Sequence, residues 1–322
     1  MNSVKIGIGM GLWRLGIPDA ATIVRVAQRA ENWGIDSFWL SDHLIAPNPE
    51  LDVVATLALI AAHTTKLKLG PSVYLLNLRH PLIAAKAFAT LDYLSGGRIV
   101  MAVGTGANLA DYAACGIPLE DRGARLDEGI AVLRKVWLEP GASFHGRFFN
   151  FDSVNIEPRP HPRTNNDFGT IDLWIGGRAR PALRRTALLG DGFFASFQTP
   201  SEYAAAMATI REIADGAGRR NARIESGMIL RCRLASSRER ALEEMRPFLD
   251  TLGARGGELL ERSVYGTARD MIDRLSEYIA AGLDKFVLWP VATPHDWADQ
   301  VEQVGREIAA HYSAQSAKRP AR

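Results

Sequence analysis

Two hydrophobic rhythms take turns along the chain. Short, largely apolar runs at 5–9, 37–40, 68–73, 99–103, 173–175, 192–195, 224–234 and 285–289 read as strands buried on both faces. Between them the apolar residues recur at helical spacing over 19–33, 52–63, 81–94, 122–137, 179–189, 201–214, 238–252, 267–281 and 297–312. Asp19 is placed to cap the start of the first helix and Gly34 its end. Eight strand–helix units in a chain of 322 residues predict an α/β fold, a single (β/α)8 TIM barrel over 1–313. An open doubly wound sheet is the alternative that the pattern leaves. Segment 138–170 breaks the rhythm with Pro, Gly, Asn and aromatic residues. It reads as an insertion between strands four and five, with a short strand near 148–156. Residues 314–322 are expected to be a disordered tail.

Composition narrows the setting. With 47% apolar residues and 23% charged residues the composition is that of a globular protein, and a formal net charge of +2 argues against a nucleic-acid role driven by bulk electrostatics. No apolar run is long enough to span a bilayer and no leader pattern precedes the first strand, so the expected location is cytoplasmic and off the membrane. Cys115 and Cys232 lie far apart and read as free thiols. The seven histidines are scattered, and no metal site is expected.

The chemistry is expected where strands end. In a β/α barrel the loops after the strands open on one face, where active sites are built. Strand two ends in Ser41-Asp42-His43. Asp42 can accept a hydrogen bond from a ring N–H or cap a loop; His43 can exchange a proton near neutral pH or be structural. Strand three ends in Ser72-Val73, either a plain strand end or a floor under a planar ring. Strand four runs into Gly104-Thr105-Gly106-Ala107, which lacks the full dinucleotide fingerprint because position 109 is leucine. Strand five runs through Gly176-Gly177-Arg178-Ala179 into a helix. Its glycines, helix-start amides and arginines suit a phosphate, the plainer alternative being a tight turn with solvated arginines.

These segments, with the run from Ala30 to Trp39, His80-Pro81, 89–98, 125–137 containing Glu128, Trp174-Ile175, Gly190-Asp191-Gly192 and Tyr265-Gly266-Thr267, together resemble the bacterial luciferase-like monooxygenase superfamily. The resemblance covers nearly the whole chain. It implies a β/α barrel that binds a flavin-type ring, with the family's insertion falling at 138–170. Ser41-Asp42-His43 and 88–92 look like the branch that uses coenzyme F420, a hydride-carrying deazaflavin. The rival branch uses FMN reduced by a separate flavin reductase. In the deazaflavin branch the peptide matching Ser72–Val73 is often cis and forms a bulge behind the ring. The related glucose-6-phosphate dehydrogenases carry a glutamate where this chain has Ala107, which argues against sugar-phosphate oxidation by their mechanism.

The expectation is therefore an oxidoreductase that moves a hydride between coenzyme F420 and a small-molecule substrate. His43 is the candidate catalytic residue. Asp42, Ser72, Val73, Gly106, Ala107, Gly176, Gly177, Arg178 and Ala179 are the candidate cofactor-binding residues. Trp13 and Trp39, with the aromatics of 148–151, are the candidate substrate wall. An FMN-dependent monooxygenase and a non-catalytic flavin-binding protein are the alternatives. A homodimer is compatible with such a fold.

Overall fold

A computed structural model describes residues 3–11, 13–45 and 48–317. The strands are β1 (Lys5–Met10), β2 (Ser37–Leu40), β3 (Lys68–Pro71), β4 (Val100–Val103), β5 (Ala142–His145), β6 (Asn150–Val154), β7 (Asp172–Gly176), β8 (Gly192–Ser196), β9 (Glu225–Leu234), β10 (Val264–Gly266) and β11 (Lys285–Pro290). The helices are α1 (Ala20–Asn32), α2 (Val53–His63), α3 (Pro81–Ser95), α4 (Leu109–Ala114), α5 (Arg122–Leu138), α6 (Arg180–Leu189), α7 (Pro200–Gly216), α8 (Arg238–Asp250), α9 (Arg255–Glu261), α10 (Ala268–Ala280) and α11 (Trp297–Gln303). A π-helical stretch, Val304–Ala309, carries α11 into α12 (Ala310–Ala317).

The principal strands pair in parallel in the order β3-β2-β1-β11-β9-β8-β7-β4. Parallel bridges Leu69–Ile99 and Tyr74–Val103 join the two ends and close the ring. The expected barrel is therefore present. The short antiparallel hairpin β5–β6 lies between α5 and β7. Asp19 caps α1 through the Thr22 amide at 2.6 Å.

Several elements went unread in the sequence. The glycine-rich stretch before α10 folds as α9 and the small strand β10, which pairs with β9. Helix α4 follows the Gly104–Ala107 loop, capped by the Asn108 side chain. The tail expected from 314 is helical through Ala317; residues 318–322 lie outside the described residues.

The barrel interior explains several strand glycines. Gly7 and Gly9 face inward from β1, where a Cβ at Gly9 would stand 3.1 Å from the Trp289 ring. At Gly192 and Gly227 a Cβ would meet Trp174 at 2.6 and 2.8 Å. Trp39, Trp174, Phe194, Ile229, Val287 and Trp289 fill the space that these glycines leave. The outward-facing residues of the same strands, such as Ile6, Ile8, Phe38 and Leu230, pack on the helices. This is why the strands read as continuous apolar runs.

Candidate active site

The loops after β2, β3, β4 and β7 meet at the C-terminal mouth. Asp42 is buried, and both its oxygens are taken: Arg79 Nη1 and Nη2 donate at 2.6 and 2.8 Å, and the Leu75 amide at 2.9 Å. Burial works to depress the Arg79 pKa, but the Asp42 bonds outweigh it and the net shift is upward. The Arg79 guanidinium also lies 4.4 Å from the Tyr74 ring centroid. Asp42 therefore anchors the loop that follows Ser72–Val73. Of the two readings the sequence offers, the loop-holding one is what these bonds display: the Arg79 guanidinium already engages the carboxylate.

The Ser72–Val73 peptide is cis, as the resemblance implies. Val73 nestles against bare backbone: a Cβ on Gly104 would come within 2.6 Å of its Cγ2, and one on Gly176 within 2.5 Å of its Cγ1. Two glycines that read as phosphate or ring clearance thus first make room for this valine. The buried Ser72 Oγ has no hydrogen-bond partner among the described residues. Gly106 takes a left-handed φ of +68°, and a Cβ there would meet Leu75. Ala107 beside it is exposed.

His43 is partly exposed, its Nδ1 3.9 Å from Asp111 Oδ2. Asp111, on α4, is buried; its Oδ1 accepts from the Ile45 amide at 2.7 Å, while Oδ2 has no hydrogen-bond partner among the described residues. Asn108 Nδ2 donates to the Ile45 carbonyl at 2.6 Å. Sequence reading missed Asp111; the capping asparagine three positions earlier was the available signal.

Across the mouth, the Gly176–Ala179 turn leads into α6. Gly177 has φ +130°, a conformation that side chains rarely adopt. The amides of Gly177, Arg178 and Ala179 donate to no acceptor among the described residues, and Ala179 caps α6 without a side-chain bond. Arg178 and Arg180 are exposed. This donor set fits a phosphate.

The aromatic wall is redrawn. Trp39 is fully buried inside the barrel, tilted against Phe194 at 4.6 Å and Trp174 at 5.6 Å, so it is core and not substrate wall. Phe149 packs on Arg125 of α5 and edge-on to His80 at the start of α3. Trp13 is buried edge-on to Trp297 at 5.7 Å but borders a recess at the mouth. Arg231, also unread in the sequence, lines that recess from β9. Among the described residues no three His, Cys, Asp or Glu side chains converge as a metal site. No described helix is long and apolar enough to cross a membrane.

A closed parallel barrel gathers the Ser72–Val73 peptide, the Gly104 and Gly176 backbone that makes room for Val73, and the 177–179 turn at one mouth. The chain belongs to the luciferase-like monooxygenase family, whose model matches residues 5–312. It is 30% identical over 239 residues to an F420-dependent glucose-6-phosphate dehydrogenase of Nakamurella multipartita, covering 69% of this chain and 66% of that protein. It is 26% identical to a 5,10-methylenetetrahydromethanopterin reductase of Archaeoglobus fulgidus, covering 87% of this chain and 92% of that one. The chain thus spans just under two thirds of the Nakamurella relative. In fold it matches the crystal structure of the monooxygenase RslO1 from Streptomyces bottropensis, with TM-score 0.79 at 20% identity over 96% of this chain and 99% of that one.

Proposed function

We propose that the protein is a coenzyme F420-dependent oxidoreductase acting on a small organic substrate. The observation that carries this reading is the seat at Ser72–Val73, where Val73 is locked between Gly104 and Gly176 and the buried Ser72 hydroxyl is left unpartnered. The name of the dehydrogenase relative supports the deazaflavin over FMN. When bound, coenzyme F420 supplies hydride transfer without oxygen activation.

The residues present divide the remaining tasks. Val73 supports one face of the ring, and the Ser72 hydroxyl is free to bond its polar edge. Asp42 works through Arg79 and Leu75, keeping the bulge in place. The amides of 177–179 hold the phosphate, with Arg178 adding charge. His43 exchanges the proton that accompanies the hydride, its ring steered by Asp111. Ala107 offers no acid at the position where the related glucose-6-phosphate dehydrogenases carry one, so the proton task falls to His43.

Parallel fluorescence titrations with coenzyme F420 and FMN test the proposal, followed by anaerobic turnover with the tighter cofactor. Tighter F420 binding with oxygen-independent turnover is expected. Tighter FMN binding with oxygen uptake that requires a flavin reductase would replace this reading with the monooxygenase one.

A further inference from the structure

The recess beside Trp13 holds an uncommon charge. Arg231 continues the inward-facing series Gly227, Ile229, Arg231 along β9 and is only 5% exposed. Its guanidinium lies 4.2 Å from the Trp289 ring centroid, 5.0 Å from Phe248 and 5.7 Å from Phe197. It makes no hydrogen bond or ion pair among the described residues, and its buried Nε has no acceptor. Burial drives its pKa down to about 9; Arg14 pushes the same way and Glu50 opposes it. Arg14 lines the recess as well, and among the described residues no carboxylate does. Glu50 is engaged elsewhere, accepting from the Ser41 hydroxyl.

A buried guanidinium without a carboxylate partner is costly, and three aromatic faces recover only part of the lost hydration. A ligand bearing a negative charge would complete it. Its place in the ring of strands says which ligand. From β3 the order runs through β4, β7 and β8 to β9, or through β2, β1 and β11 to β9; both paths take four steps. Arg231 therefore stands diametrically across the barrel from Ser72–Val73, facing whatever lies on the open side of the ring seat.

We propose that Arg231 is the receptor for a carboxylate carried by the substrate, so that the enzyme acts on small organic acids with an apolar body. This rests on the function proposed above. A carboxylate is planar and offers two oxygens to the guanidinium fork, and the recess between Trp13, Trp289 and Phe248 is so narrow, about 20 Å³, that it admits only that end of a substrate and leaves the hydrocarbon body outside it. Arg14 adds a second positive charge at the same recess.

The test reads tryptophan fluorescence, because Trp13, Trp289 and Trp297 line the recess. The probes are benzoate and its neutral isostere benzamide, titrated into the cofactor-free protein. Benzoate should bind wild type at least ~10-fold more tightly than benzamide, as a charge-assisted pair requires. Arg231→Met should bring that ratio close to one, and Arg231→Lys should keep part of it. Equal binding of the two probes to wild type overturns the proposal, whatever the variants do. A ratio unchanged in Arg231→Lys and Arg231→Met also overturns it. Inorganic phosphate binding more tightly than benzoate would assign the recess to a phosphoryl group and overturn the carboxylate. F420 titration of the same proteins separates the two proposals. Absent F420 binding with an intact benzoate preference sinks the cofactor reading alone, and the converse sinks only this one.

Discussion

Asp42 grips the Arg79 guanidinium with both carboxylate oxygens, at 2.6 and 2.8 Å, from two loops that are 37 positions apart in sequence. The same carboxylate holds the Leu75 amide, so one side chain fixes the whole turn after the Ser72–Val73 bulge. Asp42→Asn keeps the shape but leaves the mostly buried guanidinium without its counter-charge. Thermal unfolding should register a loss of about 3 kcal/mol, the low end for a broken buried pair because Arg79 retains some exposure. F420 affinity should fall in the same variant. Unchanged stability would mean that the pair is dispensable to the loop.

Val73 and Gly176 form a packing pair that can be tested as a cycle. Gly176→Ala puts a Cβ 2.5 Å from Val73 Cγ1, an overpacking that should cost roughly 1–3 kcal/mol and weaken F420 binding. Adding Val73→Ala removes the clash, so the double variant should recover stability. Strict additivity of the two effects would show that the pair is uncoupled.

For His43 the expected signature is a split between turnover and binding. His43→Ala should lower kcat by ~100- to 10,000-fold while F420 affinity stays within about threefold of wild type. Steady-state kinetics at saturating cofactor and substrate, set beside a titration, give both numbers. Unimpaired turnover would reduce His43 to a structural residue held near Asp111.

The 177–179 turn should discriminate by phosphate. Gly177→Val forces a branched side chain into φ +130° and toward Ala182, which a Cβ already approaches at 2.9 Å. Binding of F420 should weaken much more than binding of its ring analogue without phosphate. Arg178→Ala should show the same bias more mildly, fading at high salt because an exposed charge is screened. Equal losses for both ligands would put the phosphate elsewhere.

Alkaline stability should report Tyr74. Burial pushes its phenol up to about 12, against the opposing pull of Arg79. The folded chain then keeps a proton that the unfolded chain releases near pH 10. The associated stability is fully present below pH 10 and drains as pH rises toward about 12, by roughly 2–3 kcal/mol. Tyr74→Phe should flatten that part of the denaturant-midpoint profile; an identical slope would locate the alkaline transition in other groups.

What could be read in the sequence was what local physics encodes. Strand runs, helical spacing and the Asp19 cap depend on neighbours within a few positions, and the barrel follows from their order. Ser72–Val73, the two glycine loops and Ser41-Asp42-His43 were legible because strand ends in a barrel share one face. Depth and partnership were not legible. Trp39 looked like pocket wall, yet its alternation with Phe38 and Leu40 puts it inside a ring that closes only when β3 meets β4. Asp42 could be read as ring acceptor or loop cap, and only the return of the chain at Arg79 engages its carboxylate. Arg231 looked like one arginine among many. Its meaning arises from Trp289, Phe248 and Phe197, residues from three other elements that enclose its charge without neutralising it. Local sequence sets the periodicity of each element; which side chains are enclosed, and by what, is decided by contacts between segments far apart in the chain.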